Sequence, residues 1–381
     1  MLCADRCAAS SHRHHILITE KTMRDNKPGR RRFLKTTLAA GAVTGAASLG
    51  IAGSAFAQNS PGRSVAEVAS LEGNDRQQIL IDGAKKEGEL TVYFSNPGMV
   101  PVAEAFGKKY GIKVKTWRSE SSSILQRVTS EAAGGRNEVD AILNNAPEME
   151  ALHREKLLQV VKSPYLKDLM PEAIQKHKEW TGTTVEMFVQ AYNTKKIKKE
   201  DLPKSYQDLL DPKWKGMLGI ETSDYDWFAY VLQEIGQEKG IKLFNDIVAA
   251  NGISLRKGHS LLGQMVSSGD VPLAMNLYSW GPDELKKKGA PIDRFNISQP
   301  IAMFTGLGVV KKAPHPHAAV LFYDYMLTDG QGLQSEQFKI ASNNKYDAEA
   351  KKIPMKFIDP GLFLDNYDKW RKNFDSIFRA V

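Results

Sequence analysis

Cysteine is almost missing from this chain of 381 residues, and the two that occur, Cys3 and Cys7, lie at its very start. Beyond them, neither a disulfide framework nor a thiolate metal site can be built. No stretch reaches the roughly 18 apolar residues that a membrane span requires. The nearest approach, Thr36 to Phe56, is rich in Ala and Gly and poor in Leu and Ile. Catalytic signatures are also lacking: there is no G-x-S-x-G, no H-E-x-x-H, no Cys/His ligand set and no G-x-x-x-x-G-K-[ST]. After the first 57 residues no repeat, heptad tract or low-complexity segment occurs.

What is present begins with a leader. Arg30-Arg31-Arg32-Phe33-Leu34-Lys35 precedes the mild apolar run, and Ala55-Phe56-Ala57 closes it before Gln58. That order predicts a twin-arginine signal over residues 1–57, read by the export machinery that carries folded proteins. Met23, just ahead of Arg24, is the expected true start, because Met1 to Thr22 has no recognisable role. Removing the leader takes nine of 52 basic and three of 44 acidic residues, leaving 43 against 41, or +2 instead of +8. The apparent basicity belongs to the leader, so a nucleic-acid partner loses its support.

From Leu90 to Glu155 strands and helices alternate, which predicts an α/β layer with a largely parallel sheet. Two β-rich runs, Val185 to Thr194 and Gln299 to Val310, each end in a basic, proline-punctuated loop. They read either as strands crossing between two lobes or as central strands of one sheet. With two crossings the chain divides into a first lobe (58–188), a second lobe (189–300), a return to the first (301–345) and C-terminal helices (346–381). A cleft between lobes is a common seat for small ligands.

Polar residues fall where such strands end. Ser95 and Asn96 follow the strand Leu90 to Phe94, and Asn145 follows Val139 to Leu143. Arg118 and the run Ser119-Glu120-Ser121-Ser122-Ser123 lead into a helix, offering hydroxyls and free N–H groups to an anion. Plain N-capping by Ser122 or Ser123 is the simpler account of one serine. In the second unit Asp224, Tyr225, Trp227, His259, Ser260, Tyr278, Ser279 and Trp280 fall in expected loops beside the cleft, where aromatics enclose an organic ligand or pack beneath the loops. The pair His315 and His317, split by Pro316, reads as a helix entry ahead of a metal site.

Three phrases, Tyr192-Asn193-Thr194-Lys195-Lys196, the run Leu202 to Gly216 (LPKSYQDLLDPKWKG) and Pro314-His315-Pro316-His317-Ala318-Ala319, closely resemble the extracellular solute-binding proteins of ABC importers. The branch it looks like includes ferric-iron-binding proteins and relatives for phosphonates, thiamine and sugar phosphates. The resemblance implies a two-lobed periplasmic-binding-protein type II fold with two crossover hinge strands, no enzyme activity, no cofactor, and a membrane permease as partner. Ferric members carry two adjacent tyrosines, often helped by a histidine or acid after the first strand. Here Tyr278 matches the first tyrosine, Ser279 stands at the second, and Ser95-Asn96-Pro97-Gly98 holds no histidine. One phenolate is too few for a hard trivalent cation. The expected ligand is therefore an organic anion (carboxylate, phosphonate or phosphate ester), without a metal site. Ferric iron and an exported cofactor-containing enzyme stand as the alternatives.

Overall fold

In a computed structural model of the chain, the described residues are 63–348 and 350–379. The expected signal segment, 1–57, lies outside them. Helix α1 (Val65–Ala69) opens on a capping box between Ser64 and Glu67, and α2 (Arg76–Glu87) stops at Gly88. Strand β1 (Glu89–Phe94) buries Leu90, Val92 and Phe94. Then come α3 (Met99–Tyr110), β2 (Lys113–Arg118), α4 (Ser121–Ala133), β3 (Ala141–Asn145), α5 (Ala146–Arg154) and the two-residue β4 (Leu158–Gln159). β1 pairs in parallel with β2 on one side and β3 on the other.

Strand β5 (Thr181–Asn193) is buried at every position. The second lobe supplies β6 (Leu218–Glu221), α6 (Tyr225–Ile235), α7 (Gln237–Asn251), β7 (Ser254–Arg256), α8 (His259–Ser268), β8 (Leu273–Tyr278), α9 (Trp280–Lys287) and β9 (Ile292–Phe295). The return runs through β10 (Ile301–Val310), α10 (Pro316–Met326), α11 (Asp329–Ser335), β11 (Ile340–Ala341) and β12 (Lys356–Phe357), ending in α12 (Pro360–Asp365) and α13 (Tyr367–Phe378).

The main strand order is β2-β1-β3-β10-β5-β8-β6-β7. Its two ends are parallel, but β3, β10, β5 and β8 pair antiparallel in the middle. The parallel layer expected for the first three strands is present in β1, β2 and β3, and the antiparallel pairs in the middle have a topological reason. A chain that leaves one lobe on β5 and returns on β10 runs in opposite directions through the same gap. β5 changes partner at one point: Met187 still faces Ala302 of β10, whereas Phe188 faces Tyr278 of β8. The crossing read from Val185 to Thr194 is thus the second half of a longer strand.

Two hydrophobic cores flank the crossing. The second is dominated by aromatics: Phe228 lies 5.1 Å from Phe244 and 5.1 Å from Phe378, ring centre to ring centre. Trp227 belongs to this cluster and is 1% exposed. It sits inside α6, so the expectation of a loop aromatic at the cleft is wrong for Trp227. The apolar face of α13 fills the same core through Trp370, Phe374, Ile377 and Phe378, which binds the C-terminal helices to the second lobe.

Candidate functional site

A cavity of about 510 Å³ lies where the strand ends of both lobes meet. Of the residues chosen from sequence, Ser95, Asn96, Arg118, Ser121, Ser122, Asn145, Asp224, Tyr225, His259, Ser260 and Tyr278 line it. Ser123, Trp227 and Ser279 do not. Ser279 is 3% exposed, and its N–H donates to the Met187 carbonyl at 2.9 Å. Ser123 lies inside the first turn of α4. The residue at the cap of that helix is Glu120, which makes no side-chain capping bond, so the serines are not caps. Sequence reasoning missed Glu148, Glu186, Glu221 and Asp226, as well as Lys339, Phe363 and Tyr367. Two of these left a trace: Glu186 interrupts an otherwise apolar run and Glu221 closes another, and an acid in a buried strand needs a reason. Lys339 and Phe363 carry no such signal.

The cavity walls are acidic. Glu120, Glu148, Glu186, Glu221, Asp224 and Asp226 stand against Arg118, Lys257 and Lys339. Three of these acids, Glu221, Asp224 and Asp226, belong to the second lobe. Glu221, at the end of β6, accepts N–H groups from Ser223 at 2.5 Å and from Gly258 at 2.9 Å. Gly258 has φ 95°, a backbone conformation that a side chain would strain. Asp224 accepts from the Asn276 amide at 2.7 Å, and its other oxygen is 3.2 Å from His259 Nε2. The His259 ring lies 4.0 Å from the Tyr278 ring. Its Nδ1 is buried with no hydrogen-bond partner among the described residues. Ligand atoms of Glu221, Asp224 and His259 all lie within 4.8 Å of one another.

Burial raises every acid of this group. Glu221 is pushed up to about 7 by burial and by the Asp224 charge. Asp226 is pushed up to about 6, and Asp224 rises well above the usual carboxylate range, both chiefly by burial. Burial and the neighbouring carboxylates raise the Tyr278 phenol, and burial lowers the His259 imidazole. A dry cluster of carboxylates, phenol and imidazole is costly while it lacks a positive charge. A metal cation supplies that charge to hard oxygen donors.

The first-lobe wall differs. Arg118 is exposed at the end of β2, beside the opening turn of α4. Asn144 anchors that turn by donating to the Ser121 carbonyl at 3.0 Å. Glu148 projects from the first turn of α5 and is pushed up to about 8, first by burial and then by the Asp226 charge.

Two other candidates fall away. His315 and His317 are each held by a carboxylate, Asp140 at 2.9 Å and Glu87 at 2.7 Å, as suits a helix entry. Glu150, His153 and His177 also cluster, outside the cavity. There the Glu179 N–H donates to His177 Nδ1 at 3.0 Å. The neutral ring then carries its proton on Nε2, toward Glu150, and that nitrogen has no lone pair for a metal.

These features define a two-lobed receptor with a ligand cavity at the crossing strands. Residues 102–345 match the family of bacterial extracellular solute-binding proteins, and the chain belongs to it. It is a periplasmic binding protein of the ABC-importer type. Iron uptake protein A1 of Synechocystis sp. (strain ATCC 27184 / PCC 6803 / Kazusa) is 26% identical over 260 residues, 63% of this chain and 70% of that protein. The Fe(3+)-binding periplasmic protein of Serratia marcescens is 27% identical over 271 residues, 67% and 79% of the two chains. Iron-bound HitA from Pseudomonas aeruginosa superposes with a TM-score of 0.66 at 25% identity, covering 75% of this chain and 99% of that one. AfuA from Actinobacillus pleuropneumoniae, solved with fructose-6-phosphate, shares the fold at TM-score 0.68 and 20% identity, covering 77% and 99%.

Proposed function

We propose that this protein captures ferric iron between its lobes and hands it to the permease of an ABC importer, after export in folded form by the twin-arginine route. The observation that carries this reading is the convergence of Glu221, Asp224 and His259 within 4.8 Å of one another, with Tyr278 against the imidazole. The objection that one phenolate is too few counted tyrosines alone. Carboxylates from β6 and the turn before α6 complete a set of hard anionic donors. Relatives named for iron support the same choice. Titrating the metal-free protein with ferric nitrilotriacetate tests it. One iron per chain is expected, with a visible phenolate-to-iron charge-transfer band that Tyr278→Phe abolishes. Failure to take iron from the chelate sinks the reading.

The organic-anion reading keeps one support, the Arg118 side chain beside the opening turn of α4. A carboxylate or phosphate ester would seat there against helix N–H groups. A thermal-shift screen with organic acids and phosphate esters in the absence of iron separates the two. Stabilisation by an anion alone favours the second.

A further inference from the structure

The floor of the cavity holds a charge pair that the iron reading leaves unused. Glu186 sits on β5 one residue before that strand changes partners, and Lys339 lies just before β11, which is paired to β5. Both side chains are 3% exposed, and both line the cavity. Glu186 accepts from Trp280 Nε1 at 2.8 Å and from Thr305 Oγ1 at 3.0 Å. The Lys339 ammonium stands 3.4 Å from each Glu186 oxygen and 3.6 Å from the centre of the Trp280 ring. Phe338, the residue before it, has φ 64°. A bulky residue in the left-handed region is strained, and such strain persists where it positions something. Here it presents an ammonium to the cavity floor.

We infer that Lys339 is the cavity's built-in counter-ion, holding Glu186 out of the ligand set and thereby fixing the charge of the cation that the site accepts. This rests on the cavity taking a metal cation. The pair acts on the metal-binding side chains from close by: Glu186 and Lys339 push His259 in opposite directions, and Glu186 also acts on Tyr278. With Lys339 removed, the Trp280 and Thr305 donors still hold the Glu186 carboxylate at the cavity floor. An entering cation then meets that carboxylate without its counter-ion. With Glu186 neutralised, the ammonium is left opposing any cation.

Calorimetric titration of the full chain with ferric nitrilotriacetate and with manganese chloride, at pH 6.0, well below the value of about 8 to which burial lowers the Lys339 ammonium, reads both effects. Lys339→Met is expected to tighten Mn²⁺ binding by about tenfold or more, and Glu186→Gln to weaken ferric binding by about tenfold or more, as suits one charge at an effective dielectric of about 20. The double variant, neutral at both positions, falls between the two. Thermal melts establish that each variant is folded, and Lys339→Gln, which keeps a donor toward Glu186, replaces Lys339→Met if that variant is not. Folded Lys339→Met and Glu186→Gln variants that move cation affinity in the same direction as each other, or not at all, overturn the inference while the iron reading stands. Wild-type protein that takes neither metal overturns both.

Discussion

On the first lobe, the part of the cavity wall between β2 and α4 is made of side chains that water reaches: Arg118, Glu120 and Ser122 are exposed. On the second, Glu221, Asp224 and Asp226 are 2%, 5% and 7% exposed. An exposed charge is screened by solvent and salt, whereas a buried one is felt almost in full by whatever sits beside it. The exposed wall is the one whose sequence looks like a binding motif. Under the iron reading proposed above, the buried wall decides the sign of the ligand.

That contrast can be broken. The largest effect is expected from the second wall: Asp224→Asn with His259→Ala should weaken ferric binding by about a hundredfold or more, read by competition with nitrilotriacetate, since about 2.7 kcal/mol corresponds to a hundredfold. Retention of wild-type affinity would move the site elsewhere.

Next is a pH effect centred on Glu148. Its carboxyl is raised from 4.5 to about 8, so between those values the folded chain binds a proton that the unfolded chain has lost. Stability of the metal-free protein therefore falls as pH rises through this window. Melting temperature should drop from pH 5 to pH 8, and Glu148→Gln should remove part of the drop. A slope identical in the variant would show that Glu148 does not face a dry cavity.

A smaller effect belongs to the C-terminal helices. Arg154 of α5 reaches α12 through Asp365 at 2.7 Å and the Gly361 carbonyl at 3.0 Å. The side chains are 42% and 61% exposed. Arg154→Ala should cost under about 1 kcal/mol in denaturant unfolding, as exposed ion pairs do. A larger loss would make this contact a principal tie between α5 and the C-terminal segment.

The smallest effect is expected at the first wall. Arg118→Ala with Ser122→Ala should change ferric affinity by less than about threefold, because solvent screens these groups. A loss beyond about tenfold would reverse the comparison and restore the organic anion.

Much of the architecture was legible in the residues. Gly88 and Gly111 mark helix ends where expected, and the run from Ser123 is helical. Both crossing strands exist, at Thr181–Asn193 and Ile301–Val310. The strand-end rule also found Ser95, Asn96, Arg118, Asn145 and Tyr278 at the cavity. It failed for Trp227 because a helix beginning at Tyr225 carries that ring into the second core, whereas Tyr225 at its start stays at the cavity. It could not see Lys339 or Phe363, which reach the cavity from distant parts of the chain.

The order of elements and the two β-rich runs followed from local pattern, because periodicity, glycine stops and strand-end chemistry act over a few residues, and the family followed from the resemblance of three short phrases. Which charges face one another was settled only by folding. Glu148, Glu186, Glu221, Asp224 and Lys339 are brought together from five separate elements and loops, and burial then raises Glu148, Glu221 and Asp224 and lowers the lysine. A sequence counts charges, but the free energy of a charge depends on the water it has lost, and only the tertiary structure sets that loss.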